Sequence, residues 1–222
     1  MRKESRYLAL AVMAVLALSL SACKAGSGSN SDSMKAQLSK NTSLKKGWSE
    51  LPVPIYISNS VPEIFRPVII EAMDKWNSES GVTLFVYAGE TPDDVRTQDE
   101  INGIYWNESP HQEGYFGLTQ TLSTTDDVIV ESDITFYDDP EGFDVLECEG
   151  GEEICRSSTI KKDIMTTALH ELGHVLGFNH TAGPTDIMNP NFYPGDVHHQ
   201  FDGLLIAELQ DTYDTIMLAD AR

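Results

Sequence analysis

Between His170 and His180 the chain reads His-Glu-Leu-Gly-His-Val-Leu-Gly-Phe-Asn-His, the stretch that most narrows what it can fold into. His170 and His174 are four residues apart, so on a helix they share one face about one turn apart, and both imidazoles can reach one ion. Glu171 projects beside them. A helix continuing past Gly177 would carry the next side chains away; a glycine there takes a left-handed conformation and swings His180 back as a third ligand. Three neutral nitrogen ligands leave the fourth position of a tetrahedral zinc open to water, the arrangement of catalytic rather than structural sites. Glu171 is placed to take a proton from that water as it attacks a carbonyl, and then to deliver it to the departing amine. Two histidines at this spacing are only suggestive, but Gly177 and His180 add two independent constraints.

The residues before the motif predict a mixed architecture. Val53, Ile55 and Ile57 alternate with other residues over 52–58, the period of a strand. Ser60 and Glu63 around Pro62 form a capping-box pattern, and Ile64, Phe65, Val68, Ile69, Ala72, Met73 and Trp76 recur at helical spacing until Gly81. Further strands are expected over 82–87, 103–106, 117–122 and 128–137, then an acidic loop over 138–158. The helix of the histidines is expected from Thr159 or Lys161 through Leu176, and a last helix from Gly203 to Met217.

At the N-terminus Arg2, Lys3 and Arg6 precede an apolar run from Leu8 to Leu20 that is too short for a comfortable membrane span, the pattern of an export signal. It ends in Leu20-Ser21-Ala22-Cys23, which resembles the lipobox of bacterial lipoproteins and implies cleavage before Cys23 and a lipid on that residue. An ordinary signal peptide cut near Ala22 is the alternative. The expected organisation is a signal peptide over 1–22, a Ser-, Gly-, Asn- and Lys-rich flexible tether over 23–47, and one α+β domain over 48–222. That places an exported chain on the outer membrane or cell surface, touching lipid through its N-terminus alone. Of three cysteines, Cys148 and Cys155 then remain and are expected to form a disulfide in an oxidising compartment, with free thiols or another metal site as the alternative. The formal charge of −20, from 15 basic and 35 acidic residues, argues against a nucleic-acid partner. A monomer is expected.

The eleven-residue stretch resembles the zinc motif of the metzincins, and Thr185-Asp186-Ile187-Met188-Asn189-Pro190 resembles their Met-turn, with Met188 beneath the histidines. Thr181 and Met188-Asn189-Pro190 are similar to the matrixin, or matrix-metalloproteinase-like, branch, and similarity of order extends to 133–139 and 207–213. The resemblance implies a twisted mixed sheet of about five strands with three helices and an active-site cleft between N- and C-terminal subdomains. It implies one catalytic zinc on His170, His174 and His180, with Glu171 as general base of an endopeptidase acting on extracytoplasmic proteins or peptides. It also implies that 117–122 is an edge on which extended substrate lies antiparallel, along Gly117, Leu118 and Thr119, with Tyr193 and Pro194 near the mouth of a pocket walled by 191–201. No cysteine-bearing prodomain motif precedes the domain in this sequence, so the thiol latch of animal relatives is not expected. Thr135 stands where the family often has a histidine for a second zinc, and Asp138, Asp139 and Glu141 are candidate oxygen donors for calcium. His198 and His199, adjacent in a polar loop, are expected at the surface. Two other functions stay open: a catalytically silent surface binding module on the same scaffold, against which the intact Glu171 argues, and a cell-wall peptide hydrolase.

Overall fold

The computed structural model describes residues 17–24, 47–91, 99–111, 114–138 and 140–220, with 17–24 and 214–220 described as backbone only. The elements run in the order β1 (Ala17–Lys24), β2 (Val53–Ser58), α1 (Arg66–Ser80), β3 (Phe85–Thr91), β4 (Gly103–Asn107), β5 (Tyr115–Ser123), β6 (Ile129–Tyr137), β7 (Phe143–Asp144), β8 (Ile154–Arg156), β9 (Lys162–Asp163), α2 (Ile164–Val175), β10 (Asp196–His198) and α3 (Gly203–Asp220). Six strands make one mixed sheet in the order β1-β5-β6-β4-β2-β3. The pairs β2/β3, β2/β4 and β4/β6 are parallel, while β5 runs antiparallel to both β6 and β1. The α+β class and the five expected strands are present, and β1 adds a sixth along the free side of β5.

The period-two pattern of β2 buries Val53, Ile55 and Ile57 in the core, as a strand covered by a helix requires. Helix α1 lays Val68, Ile69, Ala72, Met73 and Trp76 into the same core. The indole of Trp76 donates from Nε1 to the Leu169 carbonyl at 3.0 Å, tying α1 to α2. The predicted capping box is not formed. Helix α1 starts at Arg66 with Phe65 as its cap, Pro67 fits the first turn where no N–H is needed, and Ile64 is left 73% exposed. The Ser60 hydroxyl is used elsewhere, accepting from Trp106 N at 3.1 Å and sharing a bond with Ser58 Oγ at 2.8 Å.

Helix α2 also starts later than its sequence pattern suggests, because Asp163 is its cap: Oδ2 accepts from Thr166 N at 2.8 Å and Oδ1 from Leu146 N at 2.9 Å. The stretch expected to be a plain loop carries two short ladders, β7 with β9 and β8 with β10, and a Cys148–Cys155 disulfide with a Cα–Cα distance of 5.7 Å. At the domain's N-terminal end, Trp48 Nε1 donates to the Val175 carbonyl at 2.8 Å, and Trp48 N to the Tyr213 hydroxyl at 3.1 Å. Tyr213 in turn donates to the Leu176 carbonyl at 3.2 Å, so residues from two distant parts of the chain close over the end of α2.

Candidate metal centre and active site

Helix α2 presents His170, Glu171 and His174, all buried. It ends at Val175, and Gly177, at φ 97°, takes the left-handed conformation that turns the chain back. Phe178 N donates to the Gly173 carbonyl at 3.0 Å and locks the turn. The result is convergence: His174 Nε2 lies 3.0 Å from His170 Nε2 and 3.1 Å from His180 Nε2, and the three ligand atoms lie within 4.8 Å of one another. Among the described residues this is the one cluster of three or more side chains suited to a metal ion.

The outer nitrogens settle the tautomers. His170 Nδ1 is 2.6 Å from the Ile187 carbonyl and His174 Nδ1 is 2.7 Å from the Phe178 carbonyl. A carbonyl only accepts, so Nδ1 carries the proton in each ring and Nε2 presents a lone pair. Burial lowers the pKa of all three rings, holding His174 down to about 3 and His170 well below its ordinary value; their mutual repulsion adds to both. Imidazoles whose pKa values burial lowers, with their Nε2 atoms converging and with His170 and His174 each oriented through Nδ1, are a donor set that fits a zinc ion.

Met188 lies against Gly173, which stands between the two helical histidines. Its backbone N–H donates to Asp186 Oδ1 at 2.9 Å, and its carbonyl accepts from Thr181 N at 2.9 Å, so Asp186 and Thr181 shape the turn. A Cβ on Gly173 would come within 2.3 Å of Met188 Sδ, which explains the glycine between the two helical histidines. The same turn supplies the Ile187 carbonyl that orients His170. The Matrixin family profile matches residues 56–213, spanning the sheet, the three histidines and this turn. The chain belongs to the matrixin family of metallopeptidases. It is also 29% identical over 141 residues to matrix metalloproteinase-25 of Mus musculus, an alignment covering 61% of this chain and 20% of that protein. The chain thus spans about a fifth of that relative's length.

In this matrixin, Glu171 meets β5. Thr119 Oγ1 lies 2.6 Å from Glu171 Oε2 and 3.2 Å from the Glu171 carbonyl, and a Cβ on Gly117 would come within 2.4 Å of Oε1. Gly117 and Thr119, predicted along the substrate edge, therefore face the glutamate, while Leu118 between them takes the opposite face by strand alternation. The outer edge of β5 is paired with β1: Ser21 lies opposite Thr119, Ala22 opposite Leu118 and Lys24 opposite Tyr115, with the register interrupted at Cys23. The side chain of Cys23 and the tether over 25–46 lie outside the described residues.

Of the pocket residues, Tyr193 is half-buried with the Arg156 guanidinium 5.3 Å from its ring, and Pro194 follows it, also half-buried. The ring that meets the metal ligands belongs to Phe192, edge-on to His170 at 5.4 Å and to His198 at 5.0 Å. Sequence reasoning missed Phe192, since nothing local distinguishes it from its aromatic neighbour. The expectation for His198 and His199 is corrected. His198 is buried with its backbone N–H donating to Thr166 Oγ1 at 2.9 Å, and His199 Nε2 lies 2.6 Å from the Asp163 cap, so the pair braces the start of α2. Among the calcium candidates, Asp138 is ion-paired with Lys162, so a cation there would have to displace an ammonium; Glu141 is exposed, and Asp139 lies outside the described residues. Thr135 is buried within β6.

Proposed function

We propose that this matrixin is a zinc-dependent endopeptidase cutting extracytoplasmic proteins or peptides, tethered to a membrane by a lipid on Cys23. The observation that carries the chemistry is the convergence of His170, His174 and His180 beside a buried Glu171. Zinc held by the three imidazoles would serve as a Lewis acid, lowering the pKa of a water and polarising the peptide carbonyl. Glu171 takes the proton of the attacking water as the new C–O bond forms. It then gives that proton to the amide nitrogen as the C–N bond breaks, and the proton left on the new hydroxyl passes to the departing amine, so the products are a carboxylate and an ammonium. Substrate adds as a strand to β5, a mode supported by the outer edge of β5 holding an extended segment of the chain itself.

The test is metal content and cleavage together. Zinc should be near one per chain in the wild type and in Glu171→Ala, while peptide cleavage is lost in the variant and on chelation. Cleavage that survives Glu171→Ala would overturn the mechanism. For the tether, Cys23→Ser should move the protein from the membrane fraction to the soluble exported fraction.

A further inference from the structure

We infer that Thr119 is a positioning residue for Glu171: its hydroxyl and the bare Cα of Gly117 together fix which way the carboxylate faces. This deepens the peptidase reading and rests on it. The Thr119 hydroxyl has one proton and two acceptors in reach, Glu171 Oε2 at 2.6 Å and the Glu171 carbonyl at 3.2 Å. The shorter distance selects Oε2, in the range of well-formed O–H···O bonds. Thr119 is itself immobile, being fully buried, β-branched, and set opposite Ile134 in the β5/β6 ladder.

Gly117 acts from the same face of the strand two residues earlier. A Cβ at 117 would stand 2.4 Å from Oε1, 2.7 Å from Cγ and 2.8 Å from Cδ of Glu171, so a side chain there would push the carboxylate out of its present orientation. The glutamate belongs to α2, yet its head is seated by a strand 52 residues away in sequence. A free glutamate has three torsions to freeze at each turnover; here the fold has frozen them in advance. The strand that orients the base is also the one expected to receive the peptide, so docking and proton transfer share one rigid support.

The competing role for a buried threonine is only to satisfy a buried carboxylate, and the experiment separates the two. Thr119→Ser and Thr119→Ala both lack the γ-methyl and differ only in the hydroxyl, so they are compared in the full chain, alone and combined with Glu171→Ala. In metal-free protein, Thr119→Ser should unfold about 3 °C or more above Thr119→Ala, and that gap should shrink to less than half when Glu171→Ala is added, since only the backbone carbonyl of residue 171 then remains as acceptor. A gap unchanged by Glu171→Ala overturns the hydrogen bond. In zinc-loaded protein, kcat of Thr119→Ala should lie about ten- to a hundredfold below that of Thr119→Ser, with KM within about twofold. Equal kcat values overturn positioning and leave a structural role; a rise in KM with kcat unchanged overturns it in favour of substrate contact. If Thr119→Ala does not fold, Thr119→Val, which keeps the shape of threonine without its hydroxyl, is compared with the wild type in both arms. A zinc-loaded wild type that cleaves no peptide overturns the peptidase reading instead, and the unfolding cycle then decides by itself whether Thr119 holds Glu171.

Discussion

Gly173 shows how one missing side chain can serve a metal site. Gly173→Ala would drive a methyl into Met188 Sδ and Cε, at 2.3 Å and 3.0 Å from the ideal Cβ position. The expected cost is about 1–3 kcal/mol of stability, with weaker zinc retention because the turn holding Met188 also orients His170. Thermal unfolding and competition with a zinc chelator check both. Asp133 makes a pH-dependent prediction. Its carboxyl is buried between β4 and β6; burial, opposed by the bond from Gly103 N at 2.9 Å and aided by the charges of Glu131 and Asp99, raises its pKa to about 7. The native chain keeps this proton where the unfolded chain has lost it, so the group's contribution is full below about pH 4 and declines as pH rises toward 7, by about 1.4 kcal/mol for each pH unit crossed. Asp133→Asn should therefore gain on the wild type between pH 5 and pH 8 in urea unfolding of metal-free protein; a constant difference would count against it. At this scale the cluster of three histidines was legible, because side-chain spacing on a helix is local. Gly173, Phe192 and the part played by Thr119 were not, because each is defined by an atom from a distant segment.

Among the elements, α2 depends on what surrounds its first turn. Asp163 accepts from Thr166 N, Thr166 Oγ1 and Leu146 N, and lies 2.6 Å from His199 Nε2, so one carboxylate gathers the helix start, the disulfide-bearing stretch and the segment after β10. Asp163→Ala should cost about 2 kcal/mol or more, the loss of a cap plus buried donors left unpaired, measured by chemical denaturation. Zinc affinity should fall with it, since two ligands ride on that helix. Strand β2 and the buried face of α1 were readable in the sequence because periodicity reports burial directly. Both helix starts were misplaced: the capping pattern at Ser60 gives no sign of a stronger competing partner, and nothing local marks Asp163 as the cap of α2. Ser60 serves Trp106 N in place of a helix, and the true cap of α2 is a residue whose other partners come from the loops around it. Strands β7 to β10 went unseen because ladders of two or three residues leave no measurable period.

For the molecule as a whole, the metal and the N-terminal strand matter more than composition. Zinc binding only the folded chain should raise the melting temperature, and chelation should lower it to a metal-free value independent of zinc concentration. The strongly negative charge carried no information about the site. Removing residues 1–46 while keeping the Gly47–Trp48 anchor is expected to raise peptide hydrolysis, because β1 occupies the edge to which a substrate strand would add. Equal rates for the trimmed and full chains would show that β1 does not compete. Ala17 to Ala22 are six of the eight residues of β1, so a single cut before Cys23 would remove most of that strand. Maturation and unlocking would then be one event. If the chain is exported and cut as proposed, an uncut copy would keep the outer edge of β5 covered by its own first residues.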